Sequence, residues 1–169
     1  MHTLVIVLRI IHILSGVFWV GSAIFTGFFV SPAVAATADA GQRFMAHLVA
    51  ESRVTARITA AAMLTVLAGA ALYWIDSQGL TSLWTTSGPG VGFGLGAVFA
   101  LVGLVFGVLA GRSPAILGRL AGEISGKPSS EQMEQMAAAR RQLAYAGPAS
   151  SVALMLALAC MATARYWLF

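Results

Sequence analysis

Arg9, His12, Gly16 and Trp19 follow one another at three- and four-residue spacing inside the first long apolar run. On an α-helix that spacing stacks them along one face. A charged or ionisable residue within a membrane span is costly unless it is paired or turned toward protein, which makes it a functional candidate by default. The other apolar runs carry almost none, so chemistry is expected on this face. Imidazole ligates haem iron, and a guanidinium pairs with a propionate through two hydrogen bonds. Arg9 and His12 are therefore candidate ligands of haem b, with His12 on the metal and Trp19 under the macrocycle or on the pocket floor. His2 is terminal and His47 belongs to the opposite side. A second axial ligand would have to be Met161, Met155, water or a group of another subunit. The alternative is a packing histidine that donates to a backbone carbonyl or a serine of a neighbouring helix.

Three other clusters could carry chemistry. Thioether sulfur is a soft Cu(I) ligand, and Met133 with Met136, or Met155 with Met161, are candidates for copper; the competing reading is gap-filling in an apolar core. Arg43, His47 and Glu51 recur every four residues and form one polar helical stripe, either a solvated ion-pair face or a proton-relay or ligand face. No phosphate loop, nucleophile motif or zinc spacing is present, so no catalytic residue is assigned, and no basic run points to nucleic acid.

The elements that must position these residues are membrane helices. The chain of 169 residues is 59% hydrophobic and 9% charged, against roughly 25% charged residues in an average soluble domain, and its mean hydropathy is +0.85. Four runs, at residues 4–30, 56–75, 91–109 and 143–167, approach or exceed the length needed to cross a bilayer, about 20 residues as helix. The first run lacks a basic leader and carries Arg9 and His12 in its middle, so it is expected to be a retained span rather than a signal peptide. The single cysteine, Cys160, excludes an intrachain disulfide.

Arg43, Arg53 and Arg57 flank the first connection, and Arg112, Arg119, Lys127, Arg140 and Arg141 the third; the second, residues 76–90, has no basic residue. This asymmetry places connections one and three in the cytoplasm and both termini outside. Tyr73, Trp74, Trp84, Tyr166 and Trp167 fall at the outer ends as an interfacial belt. Asp39 with Gln42 and Ser129 with Gln132 have capping-box spacing, so helices 2 and 4 are expected to extend beyond the bilayer on the cytoplasmic side. On helix 3, Gly96, Ala100, Gly103, Gly107 and Gly111 form a small-residue stripe, expected to pack against helix 1 or 2 or to form an oligomer seam. Residues 87–90 read as a turn. Pro148 removes the hydrogen bond to Ala144, and Ser150 and Ser151 are candidates to satisfy the released backbone.

The segment Arg9-Ile-Ile-His12-Ile-Leu-Ser-Gly16-Val-Phe-Trp19-Val-Gly21, with the apolar run to Pro32, resembles the first helix of the four-helix membrane proteins grouped around copper-resistance protein D. Arg53 to Tyr73 is similar to their second helix, and Ala164-Arg165-Tyr166 to the close of their fourth. That grouping includes HemJ-type protoporphyrinogen oxidases, whose first-helix histidine holds haem, a role that would map onto His12. The chain carries no lysine in a membrane span and lacks the longer aromatic and basic signature after the first-helix tryptophan. The expectation is thus an all-α integral membrane four-helix bundle, a single domain over residues 1–169, in a bacterial cytoplasmic membrane. It would bind haem b or handle copper and pass electrons. The alternative is a non-catalytic accessory subunit packed against a larger respiratory or photosynthetic complex. Its partners would be the lipid bilayer and other membrane subunits or further copies of itself.

Overall fold

The computed structural model describes residues 2–124 and 126–169, without the side chains of Ala38, Asp39, Gln42, Ala50 and Ser82. Backbone polar groups in hydrocarbon must be satisfied within the segment, which leaves a long apolar run little choice but helix. Four helical stretches are long and apolar enough to cross a membrane: His2–Ala36, Val54–Asp76, Gly88–Glu123 and Ser130–Tyr166. Each contains one of the four apolar runs, apart from the last residue of the fourth.

The first stretch is not uniform. Helix α1, His2–Phe25, passes through a π-helical turn, Thr26–Val30, into α2, Ser31–Ala36, and the Ser31 amide donates to the Thr26 carbonyl. Pro32 lacks an amide proton and crowds the turn before it, and the wider π turn lies where that crowding falls. The chain reverses at Thr37 into α3, Ala38–Ala50, then breaks at Glu51–Arg53, where Arg53 adopts a left-handed conformation (φ 48°), before α4, Val54–Asp76. The expected extension of helix 2 is therefore a separate helix. Helices 1 and 3 also run well past the spans expected for them. A short α5, Ser82–Thr85, leads to α6, Gly88–Glu123, and then α7, Ser130–Thr163, closed by a 3₁₀ turn at Ala164–Tyr166.

The caps explain two of these starts. The Ser129 hydroxyl accepts from the Gln132 amide at 3.1 Å while the Gln132 carboxamide accepts from the Ser129 amide at 2.9 Å, completing the expected capping box. Asp39 and Gln42 lie outside the described side chains. Residues 87–90 are not a free-standing turn: Ser87 caps α6 by accepting from the Gly90 amide at 3.3 Å, and Pro89 occupies its first turn, a position that needs no donor.

The bundle consists of two antiparallel pairs, α1 with α4 and α6 with α7, joined through α1–α7 and α4–α6 contacts. Trp19, Val20, Ala61, Ala62 and Leu154 form the core where the pairs meet. Outside it, large apolar side chains face away from protein, including Leu14 and Val17 (each 66% exposed) and Leu67 (61%). That is the distribution expected where the surrounding medium is hydrocarbon.

The small-residue stripe on α6 packs within the chain, but its principal partner is α7 rather than helix 1 or 2. A Cβ at Gly96 would lie 2.7 Å from Met161, one at Gly103 2.7 Å from Leu154, and one at Gly107 3.3 Å from the Ser150 hydroxyl. Helix 3 follows helix 4 because their connection is short and their small faces match in antiparallel register. Only Ala100, against the central core, and Gly111, 3.7 Å from Thr55, look toward the other pair. Ser150 and Ser151 likewise differ from expectation. Instead of reaching the Ala144 carbonyl, Ser150 donates to the Gly103 carbonyl at 2.7 Å, and Ser151 shares its one proton between the carbonyls of Ala23 at 2.9 Å and Gly147 at 3.1 Å. A serine side chain two or three residues beyond a proline points away from the carbonyl that the proline leaves behind, toward the neighbouring helices.

Candidate functional site

Arg9, His12, Gly16 and Trp19 do share one face of α1, and that face meets α4. Its contacts change with depth. At the end of the helix nearest the second connection, the Arg9 guanidinium lies 3.9 Å from the Asp76 carboxylate, both side chains partly exposed. Nearly three turns deeper, Trp19 is 3% exposed and belongs to the central core.

Between them sits His12. Its Nδ1 is 2.8 Å from the Thr65 carbonyl oxygen, which has no proton to give, so Nδ1 carries the proton and donates. Gly69 makes the approach possible: a Cβ there would lie 2.7 Å from His12 Cε1 and 3.0 Å from Nδ1. The helix period accounts for the pairing, because Thr65 and Gly69 are one turn apart on α4 and the imidazole lies over the turn between them. Below the ring, the Thr65 hydroxyl shares its one proton between Ser15 Oγ at 2.9 Å and the Ala61 carbonyl at 2.8 Å, and Ser15 donates to the Ile11 carbonyl. Gly16 packs against the Thr65 methyl at the distance of ordinary contact, 3.4 Å for a Cβ. The result is a polar ladder crossing from α1 to α4 in the middle of an otherwise apolar interface.

This geometry fixes the tautomer. With the proton on Nδ1, the lone pair of the neutral ring is on Nε2. His12 is half-buried, and no buried side-chain nitrogen or oxygen lacks a partner among the described residues. Nε2 makes no hydrogen bond among the described residues, and it is not among their unpartnered buried atoms, so it reaches the molecular surface. An Nδ1–H donated to a backbone carbonyl with Nε2 left open is the arrangement that orients a metal-ligating histidine. It is equally a complete packing contact.

The other candidates are dispersed. Among the described residues no three His, Cys, Asp or Glu side chains gather as a metal-binding group. Met161 is engaged with Gly96 of α6, Met155 is exposed, and Met133 and Met136 line a cleft of about 530 Å³ with Arg140 and Arg141. Two guanidinium groups beside the thioethers make that cleft electrostatically unfavourable for a copper ion. Cys160 is a free thiol, partly buried on α7. On α3, Arg43 and His47 are exposed, and neither forms an ion pair among the described residues.

Thr65, Ser15, Gly69 and Asp76 were not anticipated as partners of the α1 face. Thr65 had a visible signal, being the only hydroxyl between Thr59 and Tyr73 in the second apolar run. No family model, curated protein or solved structure matches this chain. The site therefore has to be argued from its own geometry.

Proposed function

We propose that this chain is a multi-pass membrane subunit that presents His12 Nε2 as an axial ligand to haem b, in the manner of the copper-resistance protein D grouping that its first helix resembles. One observation carries the reading: Thr65 and Gly69 hold the imidazole with Nδ1–H on a backbone carbonyl and Nε2 at the surface of the bundle. The core is filled by Trp19, Val20, Ala61, Ala62 and Leu154, so the macrocycle would lie against the outside of the α1/α4 pair. A second chain would then cover it, and the second axial ligand would come from that chain or from water. The donor set fits the group: one neutral imidazole, with Arg9 one turn away to meet a carboxylate once it leaves Asp76. Haem supplies one-electron chemistry when bound. The chain's own part is to hold the ring, keep its tautomer and place a guanidinium beside it.

A second reading is favoured by the extent of exposed apolar surface, with residues such as Val98 and Val105 of α6 at 56% and 60%. In it the chain is a non-catalytic accessory subunit of a larger membrane complex, and the His12–Thr65 contact only fastens α1 to α4. The visible spectrum of protein purified from haem-replete membranes separates the two. The haem reading predicts a Soret band that His12→Ala abolishes while the variant still folds. A colourless protein that co-purifies with other subunits supports the accessory role.

The proposed orientation, supported by the distribution of basic residues, has the α2/α3 corner and the α6–α7 connection in the cytoplasm and both termini outside, in a bacterial inner membrane. In a Cys160→Ala background, Gln78→Cys should react with a membrane-impermeant thiol reagent in intact cells, and Gly122→Cys should be protected. The reverse pattern would invert the topology.

A further inference from the structure

Where α3 folds back on α2, the two helices form an open V whose apex is closed by contact. Gly41 is buried there, and a Cβ would lie 2.7 Å from the Val34 Cα. The arms of the V enclose a cleft of about 430 Å³, within the range of roughly 300–1,000 Å³ for small-ligand sites. Phe25, Phe29, Ala33 and Val34 form one wall, and Ala40 and Phe44 the other. Thr37 brings the one polar side chain among the described lining residues, and its hydroxyl is already donated to the Ala33 carbonyl at 2.7 Å. Among the described lining residues nothing recognises a polar ligand, so the occupant is apolar where it touches these walls.

Two further observations say which apolar occupant. Phe25 and Phe29 are 61% and 62% exposed and belong to the stretch His2–Ala36 that can cross a membrane, so the cleft opens from the lipid-facing surface of the span. Its far arm is the amphipathic α3, with Phe44, 55% exposed, turned toward the cleft. Arg43 precedes Phe44 and follows Ala40 by three residues, which sets it at the edge of the cleft-facing stripe. An apolar slot that opens from hydrocarbon and has an exposed arginine at its edge is complementary to a lipid with a negative headgroup.

We propose that the α2/α3 cleft seats an acyl chain of an anionic phospholipid whose headgroup is held at Arg43. This site is separate from His12 and does not depend on the haem reading. Native mass spectrometry of the detergent-solubilised full chain, titrated with phosphatidylglycerol or phosphatidylcholine of identical acyl chains, tests it. Wild-type protein should retain phosphatidylglycerol roughly fivefold better, the preference given by one arginine near a headgroup. Arg43→Gln, an exposed substitution that leaves the fold alone, should bring the two lipids level. Ala40→Trp, which fills the cleft, should lower retention of both. Equal retention of the two lipids by wild type, or a preference untouched by both variants, would overturn the proposal. So would a dimer that Ala40→Trp dissociates without any lipid preference, because the cleft would then seat a second copy.

Discussion

The α1/α4 and α6/α7 pairs solve the same problem by different means. Lipid gives helices no hydrophobic reason to associate, so close backbone approach and interhelical hydrogen bonds must hold them. In the α6/α7 pair the first dominates: Gly88, Gly92, Gly96 and Gly103 receive Trp167, Ala164, Met161 and Leu154 in unbroken antiparallel register. Hydrogen bonds add to this at two points: the Ser150 hydroxyl donates to the Gly103 carbonyl at 2.7 Å and the Gln142 carboxamide to the Leu109 carbonyl at 2.7 Å. In the α1/α4 pair a large heteroaromatic ring, His12, sits where a smaller residue would have been enough to close the gap over Gly69. The ring spends one nitrogen on Thr65 and keeps the other. Packing needs are met in both pairs, and the second retains bonding capacity beyond them.

The largest effect should come from the pair in which close backbone approach dominates. Gly103→Leu places its Cβ within 2.7 Å of Leu154 and 3.4 Å of the Ser150 carbonyl, and nothing rigid can move aside. It should destabilise by about 1–3 kcal/mol, typical of overpacking. The check is thermal unfolding in detergent, with Gly118→Leu, which meets nothing within 4 Å, as the control expected to be nearly silent.

A smaller and more diagnostic effect is expected at Gly69. The Cβ of Gly69→Ala would strike the His12 ring rather than backbone, so a loss of about 1 kcal/mol is expected from the displaced contact. The same substitution in a His12→Ala background should cost almost nothing. A double-mutant cycle by thermal unfolding reads this coupling; additive effects would mean that Gly69 and His12 do not share the contact. The smallest effect belongs to the Arg9–Asp76 pair. At 3.9 Å, with side chains 45% and 36% exposed, it should contribute at most about 1 kcal/mol. Asp76→Asn should therefore barely shift the melting temperature, and the small shift should vanish in high salt.

How much of this was legible in the sequence depends on whether a feature is local. The four membrane stretches, the shared face of Arg9, His12, Gly16 and Trp19, and the Ser129–Gln132 cap follow from hydropathy, helical period and short-range hydrogen bonding, all set within a few residues. The partner of a face is not local. The Gly96–Gly107 stripe declares that another backbone comes close, but it does not say whose, and α7 rather than α1 or α4 answers it. Break points were hidden for a related reason. Nothing in residues 50–54 is a strong helix breaker, yet Arg53 is left-handed where the chain leaves α3 and starts α4 in a new direction. The crossing of Gly27 over Gly147 and Ser151 was equally hidden, since the π turn that creates it arises from strain at Pro32. At the candidate site, Arg9 and His12 could be selected by their cost in a membrane, whereas Thr65, Gly69 and Asp76 become meaningful only once α4 is known to lie against them.

The central claim is that Thr65 fixes His12 with its proton on Nδ1 and its lone pair on Nε2. Nitrogen-15 NMR of the imidazole in the intact, unliganded protein reads that tautomer directly, with His12→Gln assigning the signal. The account predicts a neutral ring with Nδ1 protonated and hydrogen-bonded and Nε2 unprotonated, and Gly69→Ala should weaken the Nδ1 hydrogen bond. A neutral ring protonated on Nε2 would contradict it, because such a ring cannot donate to Thr65 and offers no lone pair at the surface of the bundle.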